Sequence, residues 1–456
     1  MKELLLISGI GILSLIAGLL NFRKIFKVSV FIVFIGVLIS CVLDWNSNEV
    51  VFGMLLMDNF ALSFLAVIVI LAFLWFLSSG EFFNKSHNFS DHYSLILFSL
   101  TGALLLVSYN NLVMLFLGIE ILSIPIFVMV GSQRSDLKSN EAAFKYFLLG
   151  AFASAILLMG ITLVYGAIGS FDMTAISQAI QSGAADPVLL NTGVIMLMAA
   201  LAFKVSVAPF HLWTPDVYQG APIQVTAFMS TIVKTAAFAA FYRLFAQFLP
   251  GTESTWLMFF AVIASLSVLW ANLSAVTQTN SKRILAYSSV SHAGFMLVTL
   301  FTVEHNTANI LLYYTLVYGI ASLIAFNVVK WVSFAKEGQE SLALFAQLFR
   351  RNKLLGFSMV VAILSMAGIP PLAGFIAKYM IFATAIASGY LWVTIVGIIA
   401  SLIAVYYYFR IIVSIFDTSL ETEKIVITKN QRVFLIVCCA ALVALTLFPR
   451  FILSLI

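Results

Sequence analysis

Apolar runs about as long as a lipid bilayer is thick recur along this 456-residue chain, and the stretches joining them are short. A helix rises 1.5 Å per residue, so crossing a hydrocarbon core of about 30 Å takes roughly 20 mostly apolar residues. Fourteen segments meet that description: 4–20, 28–43, 58–79, 93–108, 111–131, 142–168, 190–208, 221–248, 255–276, 284–303, 308–333, 355–388, 390–416 and 431–454. Charged residues make up 9% of the chain and hydrophobic ones 62%, whereas soluble domains carry about 25% charged residues. The expected class is an all-α integral membrane protein of about 14 transmembrane helices, with no connection long enough for a soluble domain. The first run has Lys2 and Glu3 ahead of it and no Ala-x-Ala site behind it, so it is expected to be a retained helix.

The loops predict orientation. Following the chain through fourteen crossings, one side collects most of the loop cations, among them Arg134, Lys138, Lys282, Arg283, Arg350 and Arg351, with Lys85 and Lys336. The other side holds Lys2, Arg243 and Arg450. Cytoplasmic loops carry the excess of Lys and Arg, so both termini are expected on the outer, periplasmic face of a bacterial inner membrane. The formal net charge of +5 is spread over these loops and marks no nucleic-acid surface. Cys41, Cys438 and Cys439 lie in apolar stretches without ligand or redox spacing and are expected to be core residues.

Two segments carry helix breakers. The seventh ends in Lys204-Val-Ser-Val-Ala-Pro209-Phe-His211-Leu-Trp213-Thr-Pro215-Asp216, and the twelfth contains Ala367-Gly368-Ile369-Pro370-Pro371-Leu-Ala-Gly374-Phe-Ile-Ala-Lys378. Proline removes a backbone donor, and unpaired backbone at membrane depth survives only against protein or a water-filled cavity. Interrupted helices at corresponding places in two halves point to an inverted-repeat transporter. The expected division is 1–92 as an N-terminal three-helix segment, 93–248 and 255–416 as five-helix repeats (segments 4–8 and 9–13), and 417–456 as a last helix.

Inside those segments stand charges that cost roughly 2.5–3.5 kcal/mol each at the bilayer centre: Glu120, Lys204, Lys234 and Lys378. Such groups mark ion or proton pathways. Glu120 lies mid-segment between Gly118 and Pro125, either as a static ion-pair partner or as a proton carrier. Lys234 is central among small residues, whereas Lys378 lies near enough to a helix end to snorkel instead. Lys145 follows Glu141 at i−4, which suits an interfacial helix pair as well as a relay. His292 shares a face with Ser288 and His211 follows Pro209; each is either a buried, hydrogen-bonded histidine or a link between lysines. His87, His92 and His305 fall in loops. No metal cluster, haem or iron–sulfur motif, or nucleophilic triad is legible, and Gly9-Ile-Gly11 is no dinucleotide site.

The stretch FKVSVAPFHLWTPDVYQGAPIQVTAFMSTIVKTAAFAAFYR (203–243), GIEILSIP around Glu120, SKRILAYSSVSHAG (281–294) and GIPPLAGFIAKYMIF (368–382) resemble the subunit N family of proton-pumping NADH:quinone oxidoreductase, respiratory complex I. Its mitochondrial counterpart is NADH dehydrogenase subunit 2. The resemblance covers essentially the whole chain. It implies an antiporter-like, proton-translocating subunit with fourteen crossings, outward termini and broken helices 7 and 12. Glu120, Lys204, Lys234 and Lys378 match the family's proton-relay positions, and His292 and Lys145 fall near its central polar axis. It also implies no cofactor in this chain; NADH, FMN, iron–sulfur clusters and quinone belong to partner subunits, with M- and K-like membrane neighbours and the lipid bilayer around it. Subunits L and M and the multisubunit sodium/proton antiporters share the scaffold. Gly220-Ala221-Pro222, Lys234-Thr235-Ala236, Lys378 and the lack of a long lateral helix favour N. A cation/proton antiporter chain and a purely structural subunit are the alternatives.

Overall fold

A computed structural model describes residues 1–19, 23–80, 82, 89–248, 254–302, 307–334, 340–417 and 424–456. Lys85, His87, His305 and Lys336 lie outside the described residues. Three helices lead: α1 (Lys2–Leu19), α2 (Arg23–Leu43) and α3 (Asn59–Ser78), with a hairpin of β1 (Glu49–Val51) and β2 (Leu55–Met57) before the third. The first bundle follows as α4 (Phe89–Ser108), α5 (Leu112–Val130), α6 (Leu137–Ile168), the short α7 (Met173–Gln181), α8 (Pro187–Val205) and α9 (Trp213–Gly220). Its last crossing is α10 (Ile223–Phe228), a π-turn at Met229–Val233, and α11 (Lys234–Phe248).

The second bundle comprises α12 (Ser254–Val276), α13 (Ser281–Phe301), α14 (Thr307–Phe334), a 3-10 turn at Leu342–Phe345 and α15 (Leu348–Arg351). It continues with α16 (Lys353–Ala367), α17 (Ala373–Ala387) and α18 (Leu391–Phe416), and α19 (Lys429–Leu447) and α20 (Arg450–Leu453) close the chain. Among the described residues twelve helices are long and apolar enough to cross a membrane, with α16 and α17 as shorter apolar halves. Counting α1 and taking that broken pair as one crossing restores the fourteen expected. The differences lie at ends and loops: α6 starts five residues earlier than the hydropathy suggests, because Asp136 caps it. The last crossing stops at Leu447, with Pro449 two residues beyond. The hairpin and α7 were not expected.

Both bundles repeat one hydrogen-bond pattern, residue for residue. In the first, Leu112 N donates to Phe171 O and Met173 N to Asn110 O; in the second, Ser281 N donates to Glu340 O and Leu342 N to Thr279 O. Asn111 and Asn280 sit at the same place in this pattern, each capping the helix that follows. Both breaks keep register too. Ser206 (φ 63°) and Gly368 (φ 78°) take left-handed conformations, each three residues before Pro209 or Pro371, whose preceding peptide bonds are both cis. Seven residues past the proline the first bundle has Asp216 and the second Lys378. Five crossings per bundle, an odd number, start the second from the opposite face, so the repeat is inverted.

Helix contact is set by small residues, as lipid-solvated packing requires. The α6 and α8 backbones touch at Gly160 and Gly193: a methyl on either would lie 2.9 Å from the other's carbonyl oxygen. This contact brings α8, with Lys204 near its end, onto α6. Gly193→Val is expected to destabilise the chain by about 1–3 kcal/mol, seen as a lower thermal-aggregation midpoint of the detergent-purified assembly. Gly9→Ala, where a methyl meets nothing within 4 Å, should leave that midpoint unchanged.

Candidate functional site

Glu120, Lys204, Lys234, His292 and Lys378 lie on five helices, α5, α8, α11, α13 and α17; the last four side chains are buried and Glu120 is half-buried. Glu120 projects from α5 one turn before Pro125, where Gly118 lets Leu106 of α4 approach. Its carboxylate accepts from Ser154 Oγ of α6. Lys204 is buried in the last turn of α8 and donates to Ser123 Oγ, which in turn donates to Ile119 O. Glu120 and Lys204 therefore share α5 as a common wall, but no ion pair joins them directly. Each is held by a serine instead. Ser123, Ser154 and Lys204 line a small cavity of about 20 Å³, which is room for one water.

Lys234 opens α11 immediately after the π-turn, the kind of helix irregularity that recurs at functional sites. It is 2% exposed and donates to Ser289 O at 2.8 Å and to Ser289 Oγ at 2.6 Å. Ser288, beside that partner on α13, shares a hydrogen bond with the Tyr408 hydroxyl of α18. Tyr408 also reaches His292 Nε2 at 3.4 Å, and His292 Nδ1 meets the Tyr314 hydroxyl of α14 at 2.8 Å. The expected Ser288–His292 face is thus present, with Tyr408 as its common partner. A hydroxyl both donates and accepts, so this row of groups can hand a proton along by reorienting.

Lys378 does not snorkel. It is 6% exposed, donates to Ala367 O at 2.9 Å across the break between α16 and α17, and lies 5.0 Å over the Phe295 ring. Gly368 makes that seat: it has positive φ, and a methyl there would come within 2.7 Å of Lys378 Cδ. A cavity beside His292 and Tyr314 reaches Ser365 and Gly374 at the same break.

Two expected members stand apart. Lys145 is 39% exposed and pairs with Glu141 at 2.6 Å and Asp216 at 2.8 Å, so its surroundings are those of the interfacial pair, extended to a third residue. His211 is buried edge-on to Trp270, and neither ring nitrogen has a hydrogen-bond partner; it joins none of the groups above. Sequence reasoning missed Ser154, Tyr314 and Tyr408, and assigned nothing to Ser123 or Ser289. Hydroxyls carry no cost conspicuous enough to stand out in an apolar run. A usable signal was the run of three tyrosines, Tyr406-Tyr407-Tyr408, inside a membrane crossing.

Residues 109–404 match the family described as NADH:quinone oxidoreductase/Mrp antiporter, TM. The chain is 39% identical, over all of its length and 99% of the relative's, to a protein of Cytophaga hutchinsonii named NADH-quinone oxidoreductase subunit N. A chain of respiratory complex I from Thermus thermophilus superposes with a TM-score of 0.84 at 31% identity, covering 99% of this chain and 98% of that one. A chain of the Mrp complex from Dietzia shares the fold (TM-score 0.87, 20% identity, 100% and 96% covered). The fourteen crossings, the paired breaks and a match across most of the sequence agree: this chain belongs to the NADH:quinone oxidoreductase/Mrp antiporter membrane family.

Proposed function

We propose that the chain is the antiporter-like, proton-translocating N subunit of an NADH:quinone oxidoreductase. One observation carries this reading: lysines buried at both helix breaks and between them, each held by hydroxyl or carbonyl oxygens and none by a carboxylate. A lysine locked in an ion pair would hold its proton; one on neutral oxygens can change protonation without losing its partner. Protonation would alternate along Glu120, Lys204, Lys234, His292 and Lys378 as neighbouring subunits disturb the Glu120 end. A potential of 100 mV is worth about 2.3 kcal/mol per charge, and one or two units of change in lysine basicity, at about 1.36 kcal/mol each, are of the same size.

In this reading NADH, FMN, iron–sulfur clusters and quinone sit in partner subunits, and M- and K-like membrane subunits flank the chain. The cation-rich loops face the cytoplasm and both termini the periplasm, on the charge asymmetry alone. Residues 93–248 and 255–416 act as the two working halves.

Lys234→Ala should assemble, as judged by native gel, and lower the protons pumped per NADH oxidised toward the level set by the remaining pumping subunits. Full pumping by an assembled Lys234→Ala complex would sink the relay, and sodium-dependent proton exchange without any electron donor would favour an independent antiporter. Gly368→Ala is expected to act through Lys378. It forces a side chain into a left-handed position at a cost of about 1 kcal/mol and pushes Lys378 off Ala367 O. Proton yield per NADH should fall while the amount of assembled complex changes little. Gly169→Ala, also left-handed but with nothing within 4 Å, controls for strain alone.

A further inference from the structure

We propose that α3 splints the interrupted crossing α10–α11, with Gln224 and Arg243 as positioning residues that hold the π-turn and keep Lys234 turned to Ser289. The consequence for pumping rests on the proton-relay reading, which leaves residues 1–92 without a task.

The helix and the crossing run antiparallel and are joined at both ends. At one end the Gln224 side-chain amide is enclosed by the end of α3 and by α14. Its oxygen accepts from Ser79 Oγ at 3.2 Å, and its nitrogen donates to Asn327 Oδ1 at 3.0 Å and to Ser78 O at 3.4 Å. Trp75 Nε1 of α3 donates to the Gln224 carbonyl at 2.8 Å. Gln224, Ser79 and Asn327 are buried, and an amide bonded at both its oxygen and its nitrogen keeps one orientation. At the other end Asp58, which caps α3, accepts from Arg243 Nη2 of α11 at 2.6 Å. The Arg243 guanidinium also lies 4.9 Å over the Phe60 ring, which stacks on Tyr242 with centroids 5.6 Å apart.

Asp58 and Ser79 are 21 residues apart, and Gln224 and Arg243 are 19 apart. Each pair therefore spans about 30 Å of helix, the thickness of a hydrocarbon core. Lys234 stands midway, ten residues from one anchor and nine from the other. α3 is unbroken, twenty residues without proline or glycine. The crossing beside it carries the π-turn at Met229–Val233, between Gln224 and Lys234, and such a turn holds one residue more than an α-helix would. Relaxing it to regular α-helix would rotate one end of the crossing against the other by about 100°, the angle of one residue. Gln224 and Arg243 tie both ends to one straight neighbour, so the turn cannot relax without breaking an anchor. Lys234 is thereby kept on Ser289.

The test is hydrogen–deuterium exchange of the backbone amides of 229–236, read by mass spectrometry on the purified complex, beside the proton yield per NADH of each variant in membranes. Gln224→Leu and Arg243→Leu should each speed exchange there on the order of tenfold, the factor that about 1.4 kcal/mol represents, and lower the proton yield per assembled complex. Arg243→Lys, which keeps a cation for Asp58, should stay slow. If Gln224→Leu fails to assemble, Trp75→Phe, which keeps a ring but loses the donor to Gln224 O, is read the same way. Gly193→Val loosens α6 on α8 without touching either anchor, and should leave exchange at 229–236 unchanged. Exchange indifferent to the anchor variants, or raised equally by Gly193→Val, overturns the proposal. So does faster exchange at full proton yield where Lys234→Ala has lost yield. Full yield in Lys234→Ala is a failure of the relay alone, and the exchange result still decides the splint.

Discussion

The arrangement depends on the rule that backbone polar groups at membrane depth must find partners inside the protein. Ending α16 at Ala367 leaves last-turn carbonyls without intrahelical donors, and Lys378 supplies one of the missing donors. Lys234, beside its own π-turn, is held instead by the carbonyl and hydroxyl of Ser289 within α13. Lys204, at the end of α8, takes no carbonyl of its own break: it donates to Ser123 Oγ, which donates to Ile119 O within α5. At the second break, irregular backbone and buried charge form one feature rather than two.

How much of this was legible follows from cost. Crossings announce themselves because each needs a long apolar run, and the starts of α6 and α8 moved only where Asp136 and Asp186 cap them. Glu120 and the three buried lysines stand out because charge in an apolar run is expensive. Their partners do not: Ser123, Ser154, Ser289, Tyr314 and Tyr408 are tolerated in membrane helices whether or not they touch anything, so sequence offers no reason to single them out. Lys145 shows the opposite failure. Its charge near a helix end is noticeable, but whether it turns to the axis or to Asp216 depends on α9, whose placement follows from the break and not from local pattern.

The repeat was visible only as two interrupted helices. Its residue-level register lies in backbone hydrogen bonds around Asn111 and Asn280 and in the left-handed residues at 206 and 368, which side-chain identity does not reveal. That register also shows how the halves have diverged. Lys204 has Met366 as its counterpart, and Lys378 has Asp216. Equal backbones thus carry unequal charges, and a chain built from two similar bundles acquires a direction.

The contrast between the two kinds of cation completes the argument. Lys145 is held by two carboxylates and Arg283 by Asp216, an arrangement that fixes charge and geometry together. Lys204 and Lys234 meet serine hydroxyls, and His292 meets tyrosine hydroxyls. A hydroxyl accepts from an ammonium and donates to the neutral amine that remains after a proton leaves. The partner therefore survives either protonation state with only a rotation, whereas a carboxylate favours one. Carboxylates thus hold Lys145 and Arg283 in their charged form, while the hydroxyls beside Lys204, Lys234 and His292 fit the change of charge that the proposed relay requires.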